Sequence, residues 1–305
     1  MVNSNVKSIQ EEIHRLKKEK NAIILGHFYQ RPEIQEVADF VGDSFGLSQQ
    51  AQQTDADVIV FCGVHFMAES AKILSPDKKV ILPEPEAGCP MADMADVKQL
   101  KEMKKQHPDA AVVAYVNTTA AVKAHADVCC TSANVLKVVQ SLPQEKIIYL
   151  PDRNMADYLA KKTDKTIIRW PGYCYTHNWL TADDVKKAKE EHPDAKIVVH
   201  PECSDEVVSM ADKVTGTSGI IKYAGESDAK TFIVGTEMGL NAALKKEHPN
   251  KSFVFPSKKL ICAQMKANTI EKVYESLKTL SPEVFVSEEI RISAIKALDK
   301  MLQVK

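Results

Sequence analysis

Three cysteines, Cys89, Cys174 and Cys262, stand at nearly equal intervals, 85 residues (174 − 89) and then 88 residues (262 − 174). Three thiolates brought to one point can hold a zinc ion with a fourth ligand, or a [4Fe–4S] cluster whose fourth iron stays open. An open coordination position is a Lewis acid. Spacing alone does not choose between the two metals. Three sets of polar residues recur at a matching period: His27, Tyr115 and His200; Tyr29, Asn117 and Glu202; and Ser44, Ser132 and Thr217. Hydroxyls beside imidazoles suit a small polyanion bearing carboxylates or a phosphate.

Such groups meet only if the chain repeats as a structure. Four short apolar runs recur in each third of the sequence. The first set is Ala22-Ile23-Ile24-Leu25, Ala111-Val112-Val113-Ala114 and Lys196-Ile197-Val198-Val199, and each member is followed by an Ala-Asp pair ending at Asp39, Asp127 or Asp212. The runs are rich in Val and Ile and bounded by Gly, Pro, Asp or Asn, as buried parallel strands are. Segments of helical period lie between them, among them Val97 to His107 and Ala182 to His192. Alternating strands and helices predict parallel sheets covered on both faces. A period this long suits a small α/β domain and not a solenoid repeat. Four strands per unit are expected, the second very short, with an N-terminal helix over about Val6 to Glu19 and a helix over about Lys266 to Leu280 closing against the first unit. The polar sets then lie at the carboxyl ends of the strands, where open parallel sheets bind ligands. Ser44, Ser132 and Thr217 are expected at helix N-cap positions.

Composition narrows the function classes. The 305-residue chain has a net charge of −1, which gives no argument for bulk binding to nucleic acid or a membrane surface. No apolar run approaches a membrane span, and Met1 to Gln10 lacks a hydrophobic signal region. Seven cysteines in a chain of cytoplasmic character point to reduced thiols or metal ligands before disulfides. Cys62, Cys129 and Cys130 lie in or beside apolar strands and read as core; Cys203 reads as structural.

Several stretches resemble the quinolinate synthase family: Gly26-His27-Phe28-Tyr29-Gln30, Ala38-Asp39-Phe40-Val41-Gly42-Asp43-Ser44, Cys89-Pro90-Met91-Ala92, Tyr115-Val116-Asn117-Thr118-Thr119, Thr131-Ser132-Ala133-Asn134, Pro151-Asp152-Arg153-Asn154 and His200-Pro201-Glu202-Cys203. The resemblance runs from about residue 8 to the C-terminal helix. It implies three homologous three-layer α/β/α sandwich domains with parallel sheets about a pseudo-threefold axis. Their expected limits are residues 1–88, 89–173 and 174–262, with helices in 263–305 completing the first. It also implies a [4Fe–4S] cluster on Cys89, Cys174 and Cys262, whose open iron polarises a substrate hydroxyl. The implied reaction condenses iminoaspartate with dihydroxyacetone phosphate to quinolinate in NAD biosynthesis, with a functional link to an oxidase or dehydrogenase that makes iminoaspartate. Carried over by position, His27, Ser44, Tyr115, Val116, Asn117, Ser132, His200, Pro201, Glu202 and Thr217 would hold substrate. Tyr29, Tyr115, Glu202 and His177 are the candidates for proton transfer.

The chain departs from the family pattern at Gly26 and Phe28, where Ala and Asn are usual, at His65 in place of Asp, and at Thr118 in place of Ser. Strand alternation points Phe28 away from His27 and Tyr29, so a packing role is expected for it. Two rival readings stay open: a zinc protein built on the same three thiols, and a metabolite-binding module without catalysis.

Overall fold

The repeated apolar runs all form strands. The computed structural model describes residues 4–304; residues 1–3 and 305, at the outer ends of the expected first domain and C-terminal segment, lie outside the described residues. The first unit contains β1 (Ala22–His27), β2 (Phe40–Gly42), β3 (Val58–Cys62) and β4 (Lys79–Ile81). The second contains β5 (Ala111–Tyr115), β6 (Val128–Cys130), β7 (Lys146–Leu150) and β8 (Thr166–Arg169). The third contains β9 (Lys196–Val199), β10 (Lys213–Val214), β11 (Thr231–Gly235) and β12 (Ser252–Val254). Each unit is one parallel four-stranded sheet, in the orders β2-β1-β3-β4, β6-β5-β7-β8 and β10-β9-β11-β12. The register repeats as well: Gly26 pairs with Cys62, Ala114 with Leu150 and Val199 with Gly235.

The recurrent Ala-Asp pairs explain this regularity. Asp39, Asp127 and Asp212 accept the N–H groups of Ile24, Val112 and Ile197 at 2.8, 2.7 and 2.8 Å. Their own N–H groups return to the carbonyls of the same three residues, each at 2.9 Å. Each aspartate thus satisfies both backbone groups of one residue on its first strand and sets the start of the short second strand beside it.

Both faces of each sheet are buried. In the first, Ile24, Val58 and Val60 pack with Ile13 of the N-terminal helix Ser4–Glu19 and with Val273 and Leu277 of helix Ile270–Thr279. Leu25, Ile59 and Phe61 face the other way, into an apolar cluster that also takes Val112, Ala114 and Ile148 from the second sheet and Val198, Phe232 and Val234 from the third. Helix Ile270–Thr279 packs on Ser4–Glu19, as expected for a helix closing on the first unit. The final helix, Glu288–Gln303, lies on helix His65–Leu74 of the first unit and on β6 and helix Ala120–Lys123 of the second. Its Leu298 is fully buried in the shared cluster. Leu298→Ala is expected to destabilise the chain by roughly 2–5 kcal/mol through lost burial and the cavity left behind, read as a lower denaturant midpoint. Among the described residues, no helix is long and apolar enough to cross a membrane.

One local expectation is corrected. Ser44, Ser132 and Thr217 are not N-caps. Asp43 caps helix Ser44–Gln53 by accepting the N–H of Gly46, Gly216 precedes helix Thr217–Glu226, and Asn134 precedes helix Val135–Ser141. Ser44 and Thr217 are each the first helical residue, one position past the cap. A side chain there projects outward from the first turn, so the hydroxyl is not spent on the helix's own N–H groups.

Candidate active site

The carboxyl ends of all three sheets open on one cavity. It is lined by Cys89, Cys174 and Cys262 together with His27, Tyr29, Ser44, Tyr115, Asn117, Ser132, His177, His200, Glu202 and Thr217. It is narrow, with room for only a few waters. Two residues placed at the site from sequence do not line it. Val116 packs in the shared core, and Pro201 is buried behind the strand end, because alternation turns a middle residue away from its neighbours. Phe28 also packs in the core, as expected, while His65 is half exposed, 3.9 Å from Glu69. Gly26 has a packing reason: a Cβ there would stand 3.2 Å from that of Ala38.

The two strand-end histidines have a fixed proton position. His27 Nδ1 accepts the N–H of Tyr29 at 3.1 Å, and His200 Nδ1 accepts the N–H of Glu202 at 3.3 Å. A neutral imidazole whose Nδ1 accepts carries its proton on Nε2, as a donor. Burial pushes each pKa down to about 3, helped at His27 by Lys266 and His200 and at His200 by His177, and opposed in both by Glu202. The folded state therefore binds fewer protons than the unfolded chain between about pH 3 and 6.5, and the stability present above that window falls as pH is lowered through it. Between pH 7 and 5 the loss should be on the order of 2 kcal/mol per histidine. Denaturant melts at the two pH values should show it, and His27→Gln or His200→Gln should flatten the dependence.

The four candidate proton-transfer groups form one hydrogen-bonded line. Tyr29 Oη meets Thr236 Oγ1 at 2.7 Å, and Thr236 Oγ1 meets His177 Nε2 at 2.9 Å. His177 Nδ1 lies 2.9 Å from Glu202 Oε2, and Tyr115 donates its phenol proton to Glu202 Oε1 at 2.5 Å. Thr236 was not legible as a site residue, since its repeat equivalents are Gly63 and Pro151. Burial acts to raise the Glu202 carboxyl, but His200, His177 and the hydrogen bonds from His177 and Tyr115 outweigh it and hold the group below its ordinary value. Because His200 is neutral at ordinary pH, the contacts with His177 and Tyr115 are the part of that stabilisation that persists. Burial pushes both Tyr29 and Tyr115 well up, and the nearby Glu202 adds to this, so both remain phenols.

The thiols complete the wall. All seven cysteines are free. Burial raises Cys89 to about 12 and lifts Cys174 and Cys262, and Cys174 is also raised by Glu202, Cys262 and Cys89. Metal binding would deprotonate such thiols. Among the described residues, one triad of ligand atoms falls within 4.8 Å of one another: Cys174, His177 and Glu202. The three cysteine sulfurs do not form so tight a group. Thiolates sharing one tetrahedral zinc would sit about 3.8 Å apart, from bonds of about 2.3 Å. Three thiols on one cavity wall are a donor set for a metal centre, either a zinc ion with a fourth ligand or a [4Fe–4S] cluster with one open iron. Cys62, Cys129, Cys130 and Cys203 are fully buried and line no part of the cavity.

Fold and site together define a three-sheet α/β protein with a buried centre of thiol, imidazole and carboxylate groups of the metal-ligand kind. Residues 11–303 match the family model described as Quinolinate synthetase A protein. The chain is 54% identical over 296 residues to a quinolinate synthase of Geotalea uraniireducens, covering 97% of each chain. It is 54% identical over 302 residues to one of Alkaliphilus metalliredigens, covering 99% of this chain and 100% of the relative. It is 53% identical over 300 residues to quinolinate synthase 1 of Methanosarcina acetivorans, covering 98% and 97%. The chain belongs to the quinolinate synthetase A family.

Proposed function

We propose that this chain is a quinolinate synthase acting in the cytoplasm in NAD biosynthesis. It condenses iminoaspartate with dihydroxyacetone phosphate, releasing quinolinate, phosphate and two waters. A functional link to an iminoaspartate-producing oxidase or dehydrogenase belongs to the same reading. The observation that carries it is the cavity on which three thiols and Tyr29, His177, Glu202 and Tyr115 converge, with Thr236 joining Tyr29 to His177. The three units, residues 1–88 with 263–305, 89–173 and 174–262, surround that cavity about a pseudo-threefold axis in this reading; their shared strand order supports it.

Cys89, Cys174 and Cys262 would hold a [4Fe–4S] cluster, and their convergence on one cavity wall together with membership of the family supports this. When bound, the cluster supplies a Lewis acid at its open iron. The rest is the work of side chains. His27 and His200 offer Nε2–H donors to the carboxylate and phosphate oxygens, and the hydroxyls of Ser44, Ser132 and Thr217 and the amide of Asn117 complete the anion site. Glu202, an acceptor between Tyr115 and His177, is placed to take a proton from substrate. Tyr29, kept protonated, is placed to deliver one to a departing oxygen, with Thr236 and His177 connecting it to Glu202. Filling of the buried cavity by both substrates would limit the water that can hydrolyse the imine.

The test is anaerobic reconstitution with iron and sulfide, followed by assay with both substrates. One quinolinate and one phosphate should form per turnover. Binding of the diacid with no product would contradict catalysis and leave a binding module.

A further inference from the structure

Two buried carboxylates that the proposed reaction does not use lie directly behind the thiols. Glu237 Oε1 accepts the backbone N–H of Cys262 at 3.1 Å, and Asp152 Oδ2 accepts the backbone N–H of Cys174 at 3.2 Å. Both acids are fully buried. They occupy one repeat position, two residues past the ends of β7 and β11. The matching position past β3 is Val64, which has no acceptor, so the Cys89 loop lacks this support.

Each carboxylate has a second anchor. Asp152 Oδ1 caps helix Arg153–Ala160 by accepting the N–H of Met155 at 2.7 Å. Glu237 Oε2 accepts the N–H of Gly239 at 2.6 Å, and the ammonium of Lys266 lies 3.0 Å from Oε1. Lys266 also donates to the Tyr29 carbonyl, tying this corner to the β1 strand end. Gly239 is packed closely here: a Cβ would come within 2.8 Å of the Tyr29 carbonyl carbon and 2.7 Å of Glu237 Oε2 and Lys266 Nζ.

We propose that Asp152 and Glu237 are positioning residues that fix the Cys174 and Cys262 loops in ligating geometry before the metal group arrives. The proposal rests on the three-thiolate reading above. Ligands held by outer hydrogen bonds lose less freedom on binding metal, and loss of such partners commonly costs tenfold to a hundredfold in metal affinity.

The isosteric amides isolate the contact. Asp152→Asn keeps an oxygen for the Met155 cap but turns an N–H₂ donor toward the Cys174 N–H. Glu237→Gln likewise can accept from only one of Cys262 and Gly239. Residue-resolved alkylation of the cluster-free full chain, read by peptide mass spectrometry, should show Cys174 reacting about tenfold faster in Asp152→Asn and Cys262 in Glu237→Gln, with Cys89 unchanged. In the iron-loaded protein, chelator-driven iron loss should be about tenfold or more faster in both variants. Wild-type rates at every cysteine would overturn the proposal. So would a uniform rise that included the core thiols Cys62, Cys129, Cys130 and Cys203, which report general loosening. A wild-type chain that takes up no iron, together with variants that still show the residue-specific alkylation pattern, would instead overturn the cluster reading and leave the positioning role standing.

Discussion

Cys89→Ala, Cys174→Ala and Cys262→Ala should each abolish stable iron uptake and lower quinolinate formation by on the order of a thousandfold or more. The three are expected to be equivalent because each contributes one thiol to the same cavity wall. Loss of any one leaves two thiolates, too few for a cluster that otherwise keeps a single open iron. Cys62→Ala and Cys203→Ala should keep their iron, since those thiols are fully buried away from the cavity, and any loss should appear in stability alone. Iron content, acid-labile sulfide and turnover of the five variants, prepared side by side, decide the matter. Full activity in the first three would sink the assignment.

Glu202→Gln is the second large effect. The carboxylate accepts from Tyr115 at 2.5 Å and pairs with His177 at 2.9 Å. An amide of the same shape accepts at one end only and presents a donor at the other, so one of these partners is left unmatched in a buried site. The variant also removes the one carboxylate, among the described residues, that lines the cavity besides Asp43, which is occupied as a helix cap and by Ser218. A fall in kcat of about 10² to 10⁴ is expected for loss of a general base. Tyr115→Phe, which removes one donor and leaves the charge, should cost less. Turnover under saturating substrates checks both, with denaturant midpoints near wild type showing that the fold is intact.

How far the sequence revealed this depended on the repeat. The 88- and 85-residue offsets align His27, Tyr115 and His200, and the sheets place these residues at equivalent strand ends with matching register. The Ala-Asp pairs were visible as a pattern, but their clamp on the first strand needed the hydrogen bonds. Ser44 and Thr217 are legible as site residues but not as first-turn residues, because the adjacent Asp43 and Gly216 take the cap position. Periodicity fails where the units differ. Thr236 joins Tyr29 to His177 through a hydroxyl that neither Gly63 nor Pro151 can offer. Asp152 and Glu237 matter because of the backbone of cysteines 22 and 25 residues further on, a relation no local pattern encodes.

The central claim is that three thiols from equivalent loops hold one iron–sulfur cluster. Its most direct test is the metal content of the chain isolated without oxygen. About four irons and four acid-labile sulfides per chain are expected, lost together in Cys174→Ala. A colourless protein carrying one zinc and no sulfide would contradict it.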